Sequence, residues 1–263
     1  LVVGFLASED KAAAAKAARA ISRLASANPS NQRSLATAGG IKLLVKKLDV
    51  ADGGVGRAKS PETGSRAQSP EPCRAHSPVP GADGASVGAT SSVVLALERA
   101  RVQKEMASAI WAMSKESVEN QIAIADEGGI PPLIALLEGH TEMHCDVGGA
   151  LWSLAANMEN QKTIAAKGGI RPLVGLLRSG SVGAQETCAG ALHALAATSA
   201  NRVSIADEGG IPLLVALFDG GSLAAIEQAR GCLQTLVVDN PPNQLAVANE
   251  AVAMLKNGSG MAQ

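Results

Sequence analysis

Polar and apolar residues follow a long pattern that recurs along most of the chain. Each copy begins with Asn and a polar partner, runs through a short apolar stretch, and reaches a Gly-Gly pair eight residues after the Asn. The copies read NQRSLATAGGI, NQIAIADEGGI, NQKTIAAKGGI and NRVSIADEGGI, from Asn31, Asn120, Asn160 and Asn201. A fifth copy, NQLAVANEAVAML from Asn243, keeps the start and lacks the glycine pair. The last four starts lie 40, 41 and 42 residues apart, so the chain is built from repeats.

Each repeat is predicted to contain three helices separated by stop and start signals. The leading Asn suits the N-cap of a short first helix, because its side chain can accept a hydrogen bond from an unpaired backbone amide. The Gly-Gly pair predicts the end of that helix, where glycine adopts a left-handed conformation at the least cost. In three repeats proline follows within the first turn of a second helix, where its missing N–H is not needed. A variable link then leads to a longer third helix, such as CDVGGALWSLAA.

This order of signals resembles the armadillo-repeat family, and the resemblance covers nearly the whole chain outside residues 50–91. The Gly-Gly-Ile-Pro run after a short capped helix separates the pattern from HEAT repeats, which usually lack the glycine pair. The resemblance implies an all-α fold. We expect a right-handed superhelical solenoid of about four full repeats with partial ends.

The repeats set the predicted domain boundaries. The segment from Leu1 to Leu6 aligns with a second helix whose first helix is absent, and residues 243–263 hold only the start of a last unit. Both ends of the array are therefore interpreted as cut. The expected units are a partial repeat at 1–30, repeats at 31–119, 120–159, 160–200 and 201–242, and a partial repeat or C-terminal cap at 243–263.

One repeat is interrupted at about residues 50–91. This insertion holds five of the chain's twelve prolines and has no apolar period. It cannot bury enough apolar surface to offset the entropy of ordering it, so we expect a disordered loop between the second and third helices. Ser60, Ser69 and Ser77 each precede proline there and are candidate phosphorylation sites. Ser-Pro is also common in such segments by composition alone, so both interpretations remain open.

Aligned third helices give columns of equivalent residues, three of which predict the core. Burying each leucine in such a column contributes about 1.5–3 kcal/mol. The columns are Ile21, Ile110, Leu151, Leu192 and Leu233; then Leu24, Met113, Leu154, Leu195 and Leu236; and a small column of Ala20, Ala109, Ala150, Ala191 and Cys232.

A fourth column has mixed polarity, which is typical of a half-exposed row: Ser22, Trp111, Trp152, His193 and Gln234. The armadillo resemblance implies that third helices line a concave groove that receives extended peptides. Gly149 and Gly190 are expected to leave room beside the two Trp rings for a partner's side chain. Alternatively, both Trp residues pack on the adjacent third helix as partial core. The candidate partner-binding residues are Trp111, Trp152, His193, Gln234, Ser153, Arg19, Arg23 and Lys115.

The groove does not follow the importin-α pattern, in which Trp and Asn recur four residues apart on third helices. The Asn position is occupied by Arg23, Ala112, Ser153, Ala194 and Thr235, and the Trp position by Arg19, Ser108, Gly149, Gly190 and Gly231. We therefore expect an armadillo protein of non-importin type.

Composition and charge narrow the function. The net charge is -1 and aromatic residues make up 2%, which argues against a nucleic-acid binder, and no apolar run approaches the length of a membrane helix. Residues 1–119 carry +5 and residues 120–241 carry -6, an asymmetry that would orient a partner. The four cysteines form no CxxC pair, which fits a reducing intracellular setting, cytoplasmic or nuclear.

No catalytic motif is found. His140, His144 and Cys145 lie together in sequence, but no second pair of ligands is near, so no metal or other cofactor is expected. The chain is thus predicted to be a non-enzymatic scaffold that binds a protein or an extended peptide along its third-helix groove, with no small-molecule substrate. The alternative is the targeting array of a larger enzyme, such as a ubiquitin ligase.

Overall fold

The computed structural model describes residues 2–26, 28–48, 85–139 and 141–259, which are helical and contain no strand. The candidate phosphorylation sites Ser60, Ser69 and Ser77 lie outside these ranges, as do His140 and residues 50–84 of the predicted insertion. Residues 85–91, which were expected to belong to the insertion, form the start of a helix.

The helices recur in the predicted order of first, second and third. In chain order they are α1 (Val2–Leu6), α2 (Lys11–Ala25), α3 (Pro29–Thr37), α4 (Gly40–Leu48), α5 (Ala85–Ser114), α6 (Val118–Asp126), α7 (Ile130–Leu137), α8 (His144–Leu154), α9 (Met158–Ala166), α10 (Ile170–Ser179), α11 (Val182–Leu195), α12 (Ser199–Asp207), α13 (Gly210–Gly220), α14 (Leu223–Leu236) and α15 (Pro241–Ser259). A 3-10 turn at Thr141–Met143 precedes α8. First helices are α3, α6, α9 and α12, and third helices are α2, α5, α8, α11 and α14.

The repeats stack in one direction. Each third helix packs on the next, from α2 through α5, α8 and α11 to α14, and these are among the most extensive contacts between helices. Each second helix packs on the third helix of its own repeat. The predicted all-α solenoid is therefore confirmed, and its core runs along the array as one continuous cluster.

The predicted core columns occupy that cluster, with two departures on α2: Leu24 and the half-buried Ala20. The column from Ile21 to Leu233 is buried throughout, and Met113, Leu154, Leu195 and Leu236 are fully buried. Leu24, however, is 44% exposed, so its assignment to the core was wrong. The reason is its place in α2, the first third helix of the array, which has a third helix packed on one side only.

The Gly-Gly pairs end the first helices as predicted, and the two glycines of a pair meet different requirements. The first is left-handed in every repeat, with φ from 76° at Gly209 to 80° at Gly39. The second has no space for a side chain: a Cβ on Gly129 would lie 2.9 Å from the Ile124 carbonyl oxygen. The pair thus turns the chain and lets the second helix start against the end of the first.

The prediction that the repeated Asn caps the first helix was wrong. The N-caps lie three residues earlier, where Asn28, Ser117 and Asn157 accept from backbone amides. The repeated Asn is instead buried from the second copy onward and half-buried at Asn31, and its side-chain amide donates to a carbonyl at the end of the preceding third helix. Asn120 Nδ2 donates to Met113 O at 2.7 Å, and Asn160 Nδ2 donates to Leu154 O at 3.1 Å. The Asn120 amide thus supplies a donor to a carbonyl that the helix end leaves unpaired, whereas Leu154 O also accepts from the Asn157 backbone amide at 3.2 Å.

The polar residue after each of these Asn residues extends the same linkage. Gln161 Nε2 donates to Ala155 O at 2.9 Å, at the end of the third helix of the preceding repeat, and Gln32 Nε2 donates to Ala112 O at 2.9 Å, in the third helix of its own repeat. Asn160 also donates to Gln121 O, in the first helix of the preceding repeat. The Asn-Gln pair therefore joins helices within and between repeats.

Replacing Asn160 with Ala should lower the free energy of unfolding by about 1–3 kcal/mol, because two buried side-chain hydrogen bonds are lost. Urea denaturation followed by circular dichroism measures the change. Lys162→Ala in the same helix is the control and should cost at most about 0.5 kcal/mol, since its ion pair with Glu159 is exposed. Equal losses for the two variants would contradict the role of Asn160.

Candidate binding groove of the third helices

The mixed-polarity column runs along the stacked third helices, and each member contacts a small residue of the next helix. Ser22 Oγ lies 3.2 Å from Ser108 Oγ across α2 and α5. From α5 onward the small residue is glycine, and the contact is made by a ring. A Cβ on Gly149 would lie 2.5 Å from Cδ2 of Trp111, and a Cβ on Gly190 would lie 2.5 Å from Cδ2 of Trp152.

The expectation that Gly149 and Gly190 leave room beside the rings was wrong, because that room is filled by the rings themselves. His193 makes the equivalent contact on α14, where a Cβ on Gly231 would lie 2.4 Å from its Cε1. Sequence alignment placed the rings and the glycines in separate columns. The contact between the two columns arises because the next third helix is offset along the axis.

Trp111 and Trp152 are half-buried and pack against the core cluster, so neither is wholly core nor wholly free surface. The glycine backbone covers one side of each ring, and the remainder stays open to the groove. The partial-core interpretation thus applies to the side of each indole that lies on glycine, and the contact-surface interpretation applies to the side that faces the groove.

An open cavity of about 480 Å³ lies beside Trp152 and His193. His193 Nδ1 lies 3.4 Å from Gln228 Oε1, and Thr198 Oγ1 donates to Gln161 Oε1 at 2.8 Å. The cavity therefore combines an aromatic wall with side-chain amides. Its lining includes Trp152, Ala155, Ala156, Gln161, His193, Ala194, Ala197, Gln228 and Thr235.

Some predicted residues join this cavity and others do not. Ser153 neighbours Trp152, and its Oγ is buried without a hydrogen-bond partner among the described residues. Gln234 is exposed and lies outside the cavity lining. Gln228 and Gln161 were missed. Gln228 lies five residues before Leu233 of the core column. Aligning the residues at that offset in every third helix would have identified it as a candidate.

Three predicted residues lie at the other end of the array. Arg19 is held by Glu105: its Nε donates to Glu105 Oε1 at 3.0 Å, and its Nη2 contacts the same oxygen. This hydrogen bond and the carboxylate charge raise the pKa of Arg19. Arg23 and Lys115 are exposed. Of the eight predicted residues, Trp152 and His193 therefore line one cavity, and Arg19 lines another.

Burial shifts the pKa values of titratable groups on α8. It raises the pKa of Asp146 on α8, while the Ser108 hydrogen bond and the Lys104 charge act in the opposite direction. Burial also lowers the pKa of His144, which accordingly favours its neutral form. His144 begins α8 instead of lying in the link before it. Among the described residues, no three His, Cys, Asp or Glu side chains are grouped to hold a metal ion.

Cys188 on α11 and Cys232 on α14 are buried, as the small core column predicted for Cys232. Burial raises the pKa of both Cys188 and Cys232 to about 12. At neutral pH both stay thiols and are poor nucleophiles.

With the geometry established, the chain can be compared with known proteins. Residues 117–156 and 157–197 match the family model for the Armadillo/beta-catenin-like repeat. This chain therefore contains armadillo repeats. The matched segments begin at Ser117 and Asn157, which are the observed N-caps of α6 and α9.

Several solved structures with the same fold are designed proteins. One designed armadillo repeat protein is 21% identical with a TM-score of 0.71, over 95% of this chain and 86% of that chain. Another, in complex with the peptide (KR)4, is 20% identical with a TM-score of 0.69, over 95% and 86%. A third, computationally designed for modular peptide recognition, is 21% identical with a TM-score of 0.69, over 95% and 87%.

No curated protein matches this armadillo-repeat protein in sequence. None of its described helices combines the length and the apolar character needed to cross a bilayer.

The contact between Trp152 and Gly190 can be tested with two glycine variants. Gly190→Ala should be about 1–3 kcal/mol less stable than Gly175→Ala, because only the first places a methyl group against the indole ring. A Cβ on Gly175 meets nothing within 4 Å, and both variants gain the same helix propensity. Urea denaturation measures the difference, and Trp emission should shift only in Gly190→Ala. Equal stabilities would show that the ring does not lie on Gly190.

Alkylation tests the burial of the two thiols. At about pH 8 the native protein should leave Cys188 and Cys232 unmodified by iodoacetamide, because their raised pKa values keep the thiolate fraction small. Peptide mass spectrometry measures the modification, and protein unfolded in guanidinium is the control in which both sites react. Rapid native labelling of either residue would contradict the packing of α11 or α14.

Proposed function

We propose that this armadillo-repeat protein is a non-catalytic scaffold that binds an extended peptide or a protein segment along the groove of its third helices. The observation that carries the proposal is the half-buried indole of Trp152, fixed on Gly190 and open to the cavity shared with His193. A rigid aromatic surface beside polar groups is the combination found at energetic hot spots of interfaces.

The cavity offers a partner both apolar and polar contacts. Trp152 and Ala194 present apolar surface, while Gln228 and Thr235 present groups that donate and accept hydrogen bonds. The ring is already held by its glycine contact, so a partner that covers it has little side-chain entropy to remove.

Relatives of the same fold support the proposal. One designed neighbour is in complex with the peptide (KR)4, and another was designed for modular peptide recognition. These proteins share the solenoid, and this chain adds its own aromatic row on that framework.

Peptides selected from a displayed library of random extended sequences provide ligands for the test. For a selected peptide, Trp152→Ala should raise the Kd at least about tenfold, measured by fluorescence anisotropy with helicity checked by circular dichroism. Met158→Ala removes an exposed apolar side chain from first helix α9, outside the cavity, and should leave the Kd unchanged.

A second variant separates binding from packing. Ala197 is exposed at the cavity, so Ala197→Arg should obstruct the groove without removing a core contact. Ala135→Arg, on the exposed face of second helix α7, adds the same side chain elsewhere and is the matched control. If selected peptides bind Ala197→Arg and Trp152→Ala as tightly as the unmodified protein, the groove is not the binding site.

A further inference from the structure

Charge is divided sharply along the described part of the chain. The ranges 2–26, 28–48 and 85–117 hold twelve Lys and Arg against five Asp and Glu, whereas 118–139 and 141–259 hold seven against fourteen. The change of sign coincides with the end of α5. One end of the solenoid is therefore basic and the rest acidic, although the whole chain is close to neutral.

At the basic end a cleft of about 450 Å³ lies between α2 and α5. Lys16, Arg19 and Arg23 are spaced by three and four residues and so share one face of α2. Across the cleft, α5 contributes Arg101. The charged residues that line the cleft are Lys11, Lys16, Arg19 and Arg101, with Asp10, Glu98 and Glu105.

Most of the acidic groups in the cleft already have partners. Glu105 accepts from Arg19, and Asp10 Oδ1 accepts from the Ala12 amide at 2.9 Å as the cap of α2. By contrast, Lys11, Lys16 and Arg101 are exposed and form no ion pair with any described residue. The four cations and three carboxylates of the lining sum to +1, and the three exposed cations without an ion pair face one remaining carboxylate, Glu98.

Arg19 is positioned to recognise a carboxylate. Its Nε and Nη2 both contact one oxygen of Glu105, whose side chain is 12% exposed, while the Arg19 side chain remains 51% exposed. The buried carboxylate fixes the plane of the guanidinium, and Nη1 forms no hydrogen bond with a described residue. A planar guanidinium held in this way pairs with a second carboxylate at low entropic cost.

The cleft continues into the aromatic row. Arg101, Ser108, Trp111 and Lys115 recur at helical spacing along α5, so they share one face of that helix. Ser108 contacts Ser22 of α2, one turn from Arg19. A peptide lying across the aromatic row thus meets the basic cleft when it extends toward the N-terminal end of the array.

We propose that the α2–α5 cleft binds an acidic segment, rich in Asp or Glu, of the extended peptide that occupies the groove. This inference rests on the proposed peptide-binding function and names the partner's chemistry at one end of it. The positive cleft selects carboxylates and gives the bound peptide a direction, because the opposite end of the array is acidic.

Two synthetic probes test the proposal on the full chain. One is a fluorescein-labelled peptide of about twelve residues in which Glu alternates with Ser, and the other replaces each Glu with Lys. At low ionic strength the Glu peptide should bind with a Kd at least about tenfold below that of the Lys peptide. The difference should shrink as salt screens the exposed charges.

Two double variants test whether the Glu peptide binds in the cleft. Lys16→Gln with Arg101→Gln should raise the Kd of the Glu peptide at least about fivefold, since both cations are exposed in the cleft. Lys42→Gln with Lys46→Gln removes the same charge from exposed positions on α4, outside the cleft, and should change the Kd less than about twofold.

Three results would overturn the inference. The first is tighter binding of the Lys peptide, and the second is equal loss of affinity in the two double variants. The third is tighter binding of a single-stranded oligonucleotide of the same length, which would make the cleft a general polyanion site. If selected peptides still depend on Trp152 in any of these cases, the groove function stands and only the acidic specificity fails.

Discussion

The close approach of consecutive third helices is the constraint on which the rest of the structure depends. Gly149 and Gly190 have no Cβ, so Trp111 and Trp152 of the preceding helices lie directly on the backbone. In a solenoid each repeat touches only its neighbours, so this contact sets the spacing from one repeat to the next. It also decides which part of each ring remains for a partner. Core packing and surface chemistry are thus fixed by the same pair of residues.

Stacking the repeats creates a second requirement, which side-chain amides meet. When a first helix folds under the end of the preceding third helix, it buries carbonyls that have no helical partner. Asn120, Asn160 and Asn201 donate to these carbonyls, and each is at most 4% exposed. Because a buried unpaired carbonyl costs about 1–3 kcal/mol, several such bonds amount to a large share of a domain's stability. This explains why an amide recurs at a position where capping alone would accept serine.

The sequence was sufficient to predict features that depend on local signals. The Gly-Gly turns, the helix order and the core column from Ile21 to Leu233 follow from spacing within one repeat. Features that depend on the offset between repeats could not be read in this way. The ring of Trp152 lies on Gly190, thirty-eight residues away, and Arg19 pairs with Glu105 across the insertion. The repeated Asn was misassigned for the same reason, since its acceptor belongs to another helix.

Differences between repeats give the groove the means to bind a partner in one register. A groove with identical residues in every repeat would accept a peptide equally well after a shift of one repeat. Here the row changes from the hydroxyl of Ser22, through the indoles of Trp111 and Trp152, to the imidazole of His193. A shifted peptide would meet a different group at each step, which penalises the wrong register. The change in the sign of the charge after α5 also favours one orientation of the bound peptide along this row. The specificity of the array therefore comes from the positions at which its repeats differ.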